Sequence, residues 1–207
     1  MLEVLTNPNG FFREKANEPI EWKNPLIIMA VLMVVSAISA YTVTMKVMSS
    51  LPEEAAAFAG FGAIAGVIGG LIGVLIGWVL YSTVFYIISL LLNGEGDFKK
   101  LMAFTSYGFI PSIIGSIVSF YYTNEVFSNI DFSSVDPQMV QEIILSDPSM
   151  RIAGILGIIF TLWSANIWIF GVMHSRNLTL KNAAITVGIP ILLQVLYSLF
   201  NLGLLGL

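Results

Sequence analysis

Five long apolar stretches, separated by short segments that carry nearly all of the charges, divide the chain. The longest lies between Glu54 and Glu95, where forty consecutive residues are uncharged. A helix needs about 20 apolar residues to cross a hydrocarbon core roughly 30 Å thick. The pattern therefore predicts an all-α, polytopic membrane helical bundle that forms one domain over 25–207. Its five transmembrane helices are expected at about 25–47, 55–92, 101–122, 150–175 and 183–206.

Short amphipathic helices are predicted outside these spans. Residues 1–24 form an interfacial segment in which Asn7-Pro8 is a typical helix start. Phe11 and Phe12 stand beside charged residues, which suits a helix lying in the headgroup plane with its rings in the acyl boundary. Within the aqueous segment 123–149, Asp136-Pro137 begins another short helix that we expect to end near residue 145.

A ladder of glycines marks the second span. They recur every three or four residues, so on a helix they share one narrow face. This small-xxx-small spacing lets two membrane helices touch backbone to backbone. We expect the second span to be the central helix against which the others pack, with a homodimer seam or a solute route as the alternatives. The helix-packing glycines are Gly62, Gly66, Gly69, Gly70, Gly73 and Gly77.

The second span is longer than a bilayer requires. From Leu51 to Leu92 it would extend roughly 60 Å, about twice the core thickness, so we expect its first turns to protrude on the outer side. Residues 93–97 then break the helix, since they combine two glycines with a capping aspartate. In the third span Pro111 removes one helical hydrogen bond and predicts either a kink or a break.

Composition agrees with a membrane protein and narrows its chemistry. Apolar residues make up 57% of the chain and charged residues 11%, with a mean hydropathy of +0.86. Without cysteine there is no thiol nucleophile and no thiolate metal site. None of the predicted spans carries an acid or a base in its interior, which disfavours ion-coupled transport. We therefore expect no enzyme activity, no cofactor and no metal.

The basic residues predict the orientation in the membrane. Segments 1–24, 93–100 and 174–181 hold seven of the nine Lys and Arg residues, and the opposite side holds only Lys46 and Arg151. Lys and Arg near the spans stay on the cytoplasmic side. We expect a multi-pass protein of the cell membrane with its amino terminus in the cytoplasm and its carboxyl terminus extracytoplasmic. The seven are Arg13, Lys15, Lys23, Lys99, Lys100, Arg176 and Lys181.

Two motifs resemble the Yip family, the Ypt-interacting membrane proteins. Glu21-Trp22-Lys23-Asn24-Pro25-Leu26 resembles the acidic-x-x-x-Pro-Leu entry to the family's first span, with asparagine where glycine is common. Ser106-Tyr107-Gly108-Phe109-Ile110-Pro111 resembles the small-Tyr-small-x-x-Pro signature of its third span. The likeness in layout extends over about 5–205. The family-motif positions that it implies are Glu21, Pro25, Tyr107, Gly108 and Pro111.

This resemblance also implies partners. Eukaryotic members act in vesicle traffic and bind prenylated small GTPases and partner Yip proteins, using a long cytosolic amino-terminal region. Here only about twenty-four residues precede the first span, which is similar to a prokaryotic member. We therefore expect neither small GTPase binding nor a nucleic-acid partner, and we expect membrane lipids, a second copy or other membrane proteins instead.

The sequence supports two functions. The first is a non-enzymatic membrane scaffold that acts by helix–helix association with itself or with other membrane proteins. The alternative is a facilitator or channel for a small neutral or weakly polar solute. A polar cavity lined by Ser82, Asn166 and Gln194 would favour the facilitator, and a dry core would favour the scaffold.

Overall fold

Helices make up the fold of the computed structural model, which describes residues 2–49, 59–130, 139, 143 and 146–204. These ranges contain no strand, which confirms the predicted all-α class. A short 3-10 helix at Leu2–Leu5 precedes the α-helices. The latter are α1 (Pro8–Ala16), α2 (Lys23–Ser49), α3 (Ala59–Leu91), α4 (Phe98–Tyr107), α5 (Ile110–Asn129), α6 (Pro148–Ser175) and α7 (Leu180–Asn201).

Five membrane spans are present if the broken third one is counted. Helices α2, α3, α6 and α7 are each long and apolar enough to cross a bilayer. Helices α4 and α5 qualify only as a pair, bent by 42°. The break lies at Gly108 and Phe109, and Pro111 takes the second position of α5. Pro111 therefore follows a break instead of kinking a continuous helix.

Short polar side chains cap the helices where the sequence signals them. Asn7 Oδ1 accepts a hydrogen bond from Gly10 N at 3.1 Å, and Asp147 Oδ1 accepts one from Ser149 N at 2.7 Å. Asp97 Oδ1 accepts from Lys99 N at 2.8 Å. Each cap supplies a partner for an amide that has none within its helix. The helix expected to begin at Asp136-Pro137 lies almost wholly outside the described residues.

The glycine-rich helix α3 is not the centre of the bundle, contrary to our expectation. It packs along α2 and touches α4 and α7. Only 11% of its most apolar window is buried, against 28% for α6. Helix α6 is the central one, because it lies against α1, α4, α5 and α7. Glycine spacing lets another helix approach one face closely, but it does not require contact along the whole length of that face.

The two antiparallel helices α2 and α3 start and end at different depths. The ring of Trp22, next to the start of α2, lies 6.4 Å from the ring of Trp78. Helix α3 continues from Trp78 to Leu91, which is about 20 Å further at 1.5 Å per residue. Helix α4 packs against this part of α3, where the rings of Tyr86 and Phe98 lie 5.2 Å apart. The extra length of α3 is therefore partly accommodated at this end of the bundle.

The rings of α1 lie in the protein and not in the acyl boundary, which corrects our expectation. Phe12 is fully buried and Phe11 is 6% exposed. Their rings lie 5.0 to 5.8 Å from those of Phe104 and Tyr107 on α4. Such ring pairs add about 0.5–1.5 kcal/mol each to the gain from burial. Helix α1 is thus held as part of the bundle.

Candidate functional site

At the break between α4 and α5, a glycine leaves room for a tryptophan ring. A Cβ atom on Gly108 would overlap Nε1 and Cδ1 of Trp168 on α6. Because glycine stands there, Trp168 Nε1 reaches the carbonyl oxygen of Thr105 and donates a hydrogen bond to it at 2.8 Å. Helix α4 ends at this point, where the Thr105 carbonyl also accepts a hydrogen bond from the amide of Gly108 at 3.2 Å.

Aromatic rings surround Trp168 on its other sides. Tyr81 stacks on it at 4.9 Å between centroids, and Phe85 and Phe109 meet it edge-on at 5.6 Å and 5.3 Å. Together with the α1 contacts they close one end of the bundle. We call this set the aromatic layer; its rings are Phe11, Phe12, Tyr81, Phe85, Phe104, Tyr107, Phe109 and Trp168.

The family-motif positions lie on or beside the aromatic layer. Tyr107 is 2% exposed, and it lines a small pocket together with Glu21. Glu21 itself is exposed, and its carboxylate accepts hydrogen bonds from Lys15 Nζ at 3.4 Å and Asn24 Nδ2 at 3.3 Å. Pro25 is buried in the first turn of α2. Glu21 and Pro25 thus lie at the point where the chain leaves the segment after α1 and begins α2.

Arg176 is buried, although the sequence placed it in a surface loop. Its side chain is 1% exposed. The guanidinium donates to Ser89 Oγ at 3.0 Å, to the carbonyl oxygen of Gly94 at 2.6 Å and to that of Gly96. It also lies 4.4 Å from the ring centroid of Tyr86. A cation at the end of α6 thereby ties down the connection between α3 and α4.

The backbone of that connection is shaped to receive the arginine. Gly96 has a φ of 121°, a value that residues with a side chain rarely adopt. A Cβ atom at Gly96 would also overlap the carbonyl oxygen of Ser175. The amide of Glu95 donates to the carbonyl oxygen of Arg176 at 2.8 Å. The two glycines in residues 93–97 were the sequence signal for this close approach, but nothing there identified its partner.

Beyond the aromatic layer the bundle opens into three adjoining cavities of about 420, 450 and 510 Å³. The first two share Ser36 and Ser116, the last two share Ser119, and the first and third share Thr161. We call this space the hydroxyl cleft. The hydroxyl side chains lining it are Ser36, Ser39, Thr44, Tyr81, Ser112, Ser116, Ser119, Thr123, Thr161, Tyr197 and Ser198.

The aromatic layer forms the floor of this cleft. Tyr81, Phe109 and Trp168 all line the 420 Å³ cavity. The Tyr81 hydroxyl donates a hydrogen bond to Gln194 Oε1, which joins α3 to α7 at the edge of the floor. None of the described residues that line the cleft is charged. The cleft therefore ends at packed rings and offers neutral polar groups only.

The three neutral residues that we grouped as a polar cavity do not come together. Gln194 lines the cleft. Ser82 is fully buried and donates to the carbonyl oxygen of Trp78 at 2.7 Å. Asn166 is exposed on the outside of α6. The residues that do line the cleft are the serines and threonines of α2, α5 and α6, which occur singly in apolar sequence and give no motif.

The ladder glycines divide into two sets. A Cβ atom at Gly66 would lie 2.9 Å from Thr44 Oγ1, and one at Gly70 would lie 3.0 Å from Ser36 Oγ. These two glycines let α2 approach α3. At Gly69, Gly73 and Gly77 an added Cβ would meet nothing within 4 Å. Gly62 is half-buried near the start of α3.

Comparison with known proteins places the whole chain in one family. The family model described as the Yip1 domain matches residues 2–202. An uncharacterized protein of Methanocaldococcus jannaschii is 33% identical over 129 residues, which cover 61% of this chain and 92% of that protein. No solved structure matches the chain.

Proposed function

The chain belongs to the Yip1 domain family, and on that premise we propose a non-enzymatic membrane scaffold that associates with other membrane-embedded helices. The supporting observation is that only some of the ladder glycines of α3 are in contact with another helix. Gly66 and Gly70 receive α2, whereas Gly69 and Gly73 are exposed and have open space above them. A second transmembrane helix can approach the backbone there as closely as α2 does on the other side.

In lipid, small residues on an exposed helix surface favour association with another helix. Between membrane helices there is no hydrophobic driving force, so association depends on close contact and dispersion. Small residues permit that contact, and the exposed Ile68, Ile72 and Ile76 flank the two glycines with branched apolar side chains. We call this surface of α3, formed by Gly69, Gly73 and the three isoleucines, the glycine edge. A helix docked along the glycine edge would bury both the glycine backbone and the isoleucine side chains. The partner in this proposal is a transmembrane helix of a second copy or of another membrane protein.

Site-specific photo-crosslinking in native membranes tests the scaffold. A photoreactive residue replaces Ile72, which is 50% exposed on the glycine edge, and a control replaces Leu162 on α6, which is 53% exposed. We expect protein adducts at position 72 and lipid adducts alone at position 162. Lipid adducts alone at both positions would remove the basis for a helix partner, and the mass of the adduct separates a second copy from another protein.

The orientation belongs to the same proposal. We place the aromatic layer and the amino terminus on the cytoplasmic side of the cell membrane, following the seven basic residues grouped there. Asn177-Leu178-Thr179 is a glycosylation sequon, and Asn177 is exposed. In a eukaryotic membrane we expect Asn177 to stay unmodified and a sequon engineered near Asp131 to be glycosylated. The reverse pattern would invert the orientation.

The second candidate, a facilitator for a small neutral solute, is favoured by the hydroxyl cleft. Its uncharged lining suits such a solute, although the cleft ends on the rings of Phe109 and Trp168. Conduction would require those rings to move. Stopped-flow swelling of proteoliposomes in glycerol measures it: a permeability above that of empty liposomes supports a facilitator, and an equal rate excludes one for this solute.

A further inference from the structure

The hydroxyl cleft has the size of a ligand site. Small-molecule pockets usually enclose about 300–1,000 Å³, and each of the three cavities falls in that range at about 420, 450 and 510 Å³. The shared residues Ser36, Ser116 and Thr161 stand where the cavities meet. Their side chains come from α2, α5 and α6, so the junction is surrounded from three directions.

The hydroxyls at this junction are not engaged by the protein. Within the described part of the chain, Ser36, Ser116 and Thr161 make no side-chain hydrogen bond. Elsewhere the same residue types bond back to their own helix, as Thr105 does to Leu101 and Thr186 to Asn182, both at 2.8 Å. In lipid, a hydroxyl without a partner is unfavourable by roughly 1–3 kcal/mol. A ligand with its own hydroxyl or carbonyl oxygens would satisfy the three together.

The rest of the lining defines the ligand further. Tyr81, Phe109 and Trp168 present ring surface to the 420 Å³ cavity, against which C–H groups pack well. Because no charged residue is found among the described lining residues, an ionic group would enter without a counter-charge and would lose its hydration. The site suits a molecule that combines neutral oxygens with C–H faces.

We propose that the hydroxyl cleft binds a neutral polyol group, carried either by a membrane lipid or by a free solute. The hydroxyls of Ser36, Ser116 and Thr161 bond to the polyol oxygens, and the aromatic floor packs against its carbon skeleton. Gly73 belongs both to the surface of α3 proposed for a partner helix and to the lining of the cleft. The hydroxyls that bind the polyol come from α2, α5 and α6, so the site does not require a partner helix.

Binding to the purified full chain tests this site. The probes are a monoglucosyl diacylglycerol, free glucose and a phosphatidic acid with the same acyl chains, which is anionic and has no polyol headgroup. The readout is the shift of the thermal midpoint in detergent as each is titrated. We expect saturable stabilisation by a glucosyl probe and none by the anionic lipid. Stabilisation by the glycolipid alone identifies a lipid as the source, and stabilisation by glucose as well identifies the polyol itself.

Matched serine variants make the test specific. The double variant Ser36→Ala and Ser116→Ala removes two free hydroxyls and should weaken binding roughly tenfold, as expected for two hydrogen bonds of about 0.7 kcal/mol each. Ser39→Ala is the control, because Ser39 lines the same cleft but already donates to the carbonyl oxygen of Val35 at 2.9 Å. Its affinity should change less than about twofold.

Several results would overturn the proposal. They are no stabilisation by either glucosyl probe, equal stabilisation by phosphatidic acid, or equal affinities for the double variant and Ser39→Ala. If the double variant fails to fold, Thr161→Val is compared with Ser39→Ala instead, since it keeps the shape of the side chain and removes one free hydroxyl. Crosslinking at position 72 does not depend on any of these outcomes, so the scaffold can fail while the polyol site stands.

Discussion

Glycine occurs in both the aromatic layer and the hydroxyl cleft, but its neighbours differ. At Gly108 and Gly96 an added Cβ atom would overlap Trp168 or the Ser175 carbonyl. At Gly73 and Gly77, which line the cleft, it would meet nothing within 4 Å. In the first region the missing side chain lets another group in. In the second it leaves space at these two positions, whereas Gly70 and Gly154, which also line the cleft, are approached by Ser36 and Leu202.

Hydroxyl groups show the same contrast. In and beside the aromatic layer, Ser82, Thr105 and Ser106 donate to backbone carbonyls of their own helices at 2.7 to 2.8 Å. In the cleft, Ser36, Ser116 and Thr161 make no such bond among the described residues. In the cleft these three hydroxyls stand beside bonded ones, such as those of Ser39 and Ser198. The polyol site that we propose rests on the three unbonded hydroxyls, at the opposite end of the bundle from the packed rings.

The largest expected effect concerns the closed end. Arg176→Met keeps an unbranched apolar stem but leaves Ser89 Oγ and two carbonyls without their donor. Hydrogen bonds to a charged group contribute about 1.5–3 kcal/mol each, so we expect a loss of roughly 3 kcal/mol or more in the free energy of unfolding. Thermal denaturation in detergent measures it. Lys181→Met is the control, because Lys181 is an exposed base in the first turn of α7.

Arg176→Lys refines this prediction. Lysine keeps the charge but cannot reach three acceptors with a planar fork, so its midpoint should fall between those of wild type and Arg176→Met. A midpoint equal to that of wild type for Arg176→Met would mean that the buried guanidinium does not hold the connection between α3 and α4.

The next prediction compares Gly108, where the Trp168 ring occupies the place of a side chain, with Gly73, where that place is empty. Gly108→Ala places a methyl group against Trp168 and should break the bond from Trp168 Nε1 to Thr105. Overpacking of this kind costs about 1–3 kcal/mol. The backbone is not the cause, since Gly108 has an ordinary helical φ of −69°. Gly73→Ala is the matched control and should show no loss of thermal stability. An equal loss in both variants would contradict the difference in packing between Gly108 and Gly73.

Leucine substitutions test the two sets of ladder glycines. Gly70→Leu should push α2 and α3 apart and lower stability by about 1–3 kcal/mol, whereas Gly73→Leu should be tolerated by the isolated chain. From the spacing alone both would be expected to fail. If Gly73→Leu loses stability in a way that depends on protein concentration, a second copy covers that position.

The sequence predicted the helices far better than their arrangement. Apolar length and Asn-Pro or Asp-Pro starts are local signals, and the helices begin close to them. The burial of Arg176 depends on three acceptors that lie 80 to 87 residues away in the chain, which no local pattern contains. The cleft likewise needs serines from separate helices to meet. Only the tertiary packing of α2, α5 and α6 brings Ser36, Ser116 and Thr161 to one junction.

The smallest effect is expected at the motif proline. Pro111 occupies the second position of α5, where a helix has no amide bond to lose. Pro111→Ala therefore restores no hydrogen bond, and it should lower stability by only about 0.4–1 kcal/mol through the greater freedom of the unfolded chain.

The bend between α4 and α5 should survive this substitution, because Gly108 and the bond from Trp168 to Thr105 stay in place. Spin labels at Lys99 on α4 and Ile117 on α5, both exposed, report the angle as a distance. We expect the same distance distribution in wild type and Pro111→Ala, and a changed one in Gly108→Ala. A longer distance in Pro111→Ala would show instead that the proline bends the span, and that the tryptophan only occupies a break made without it.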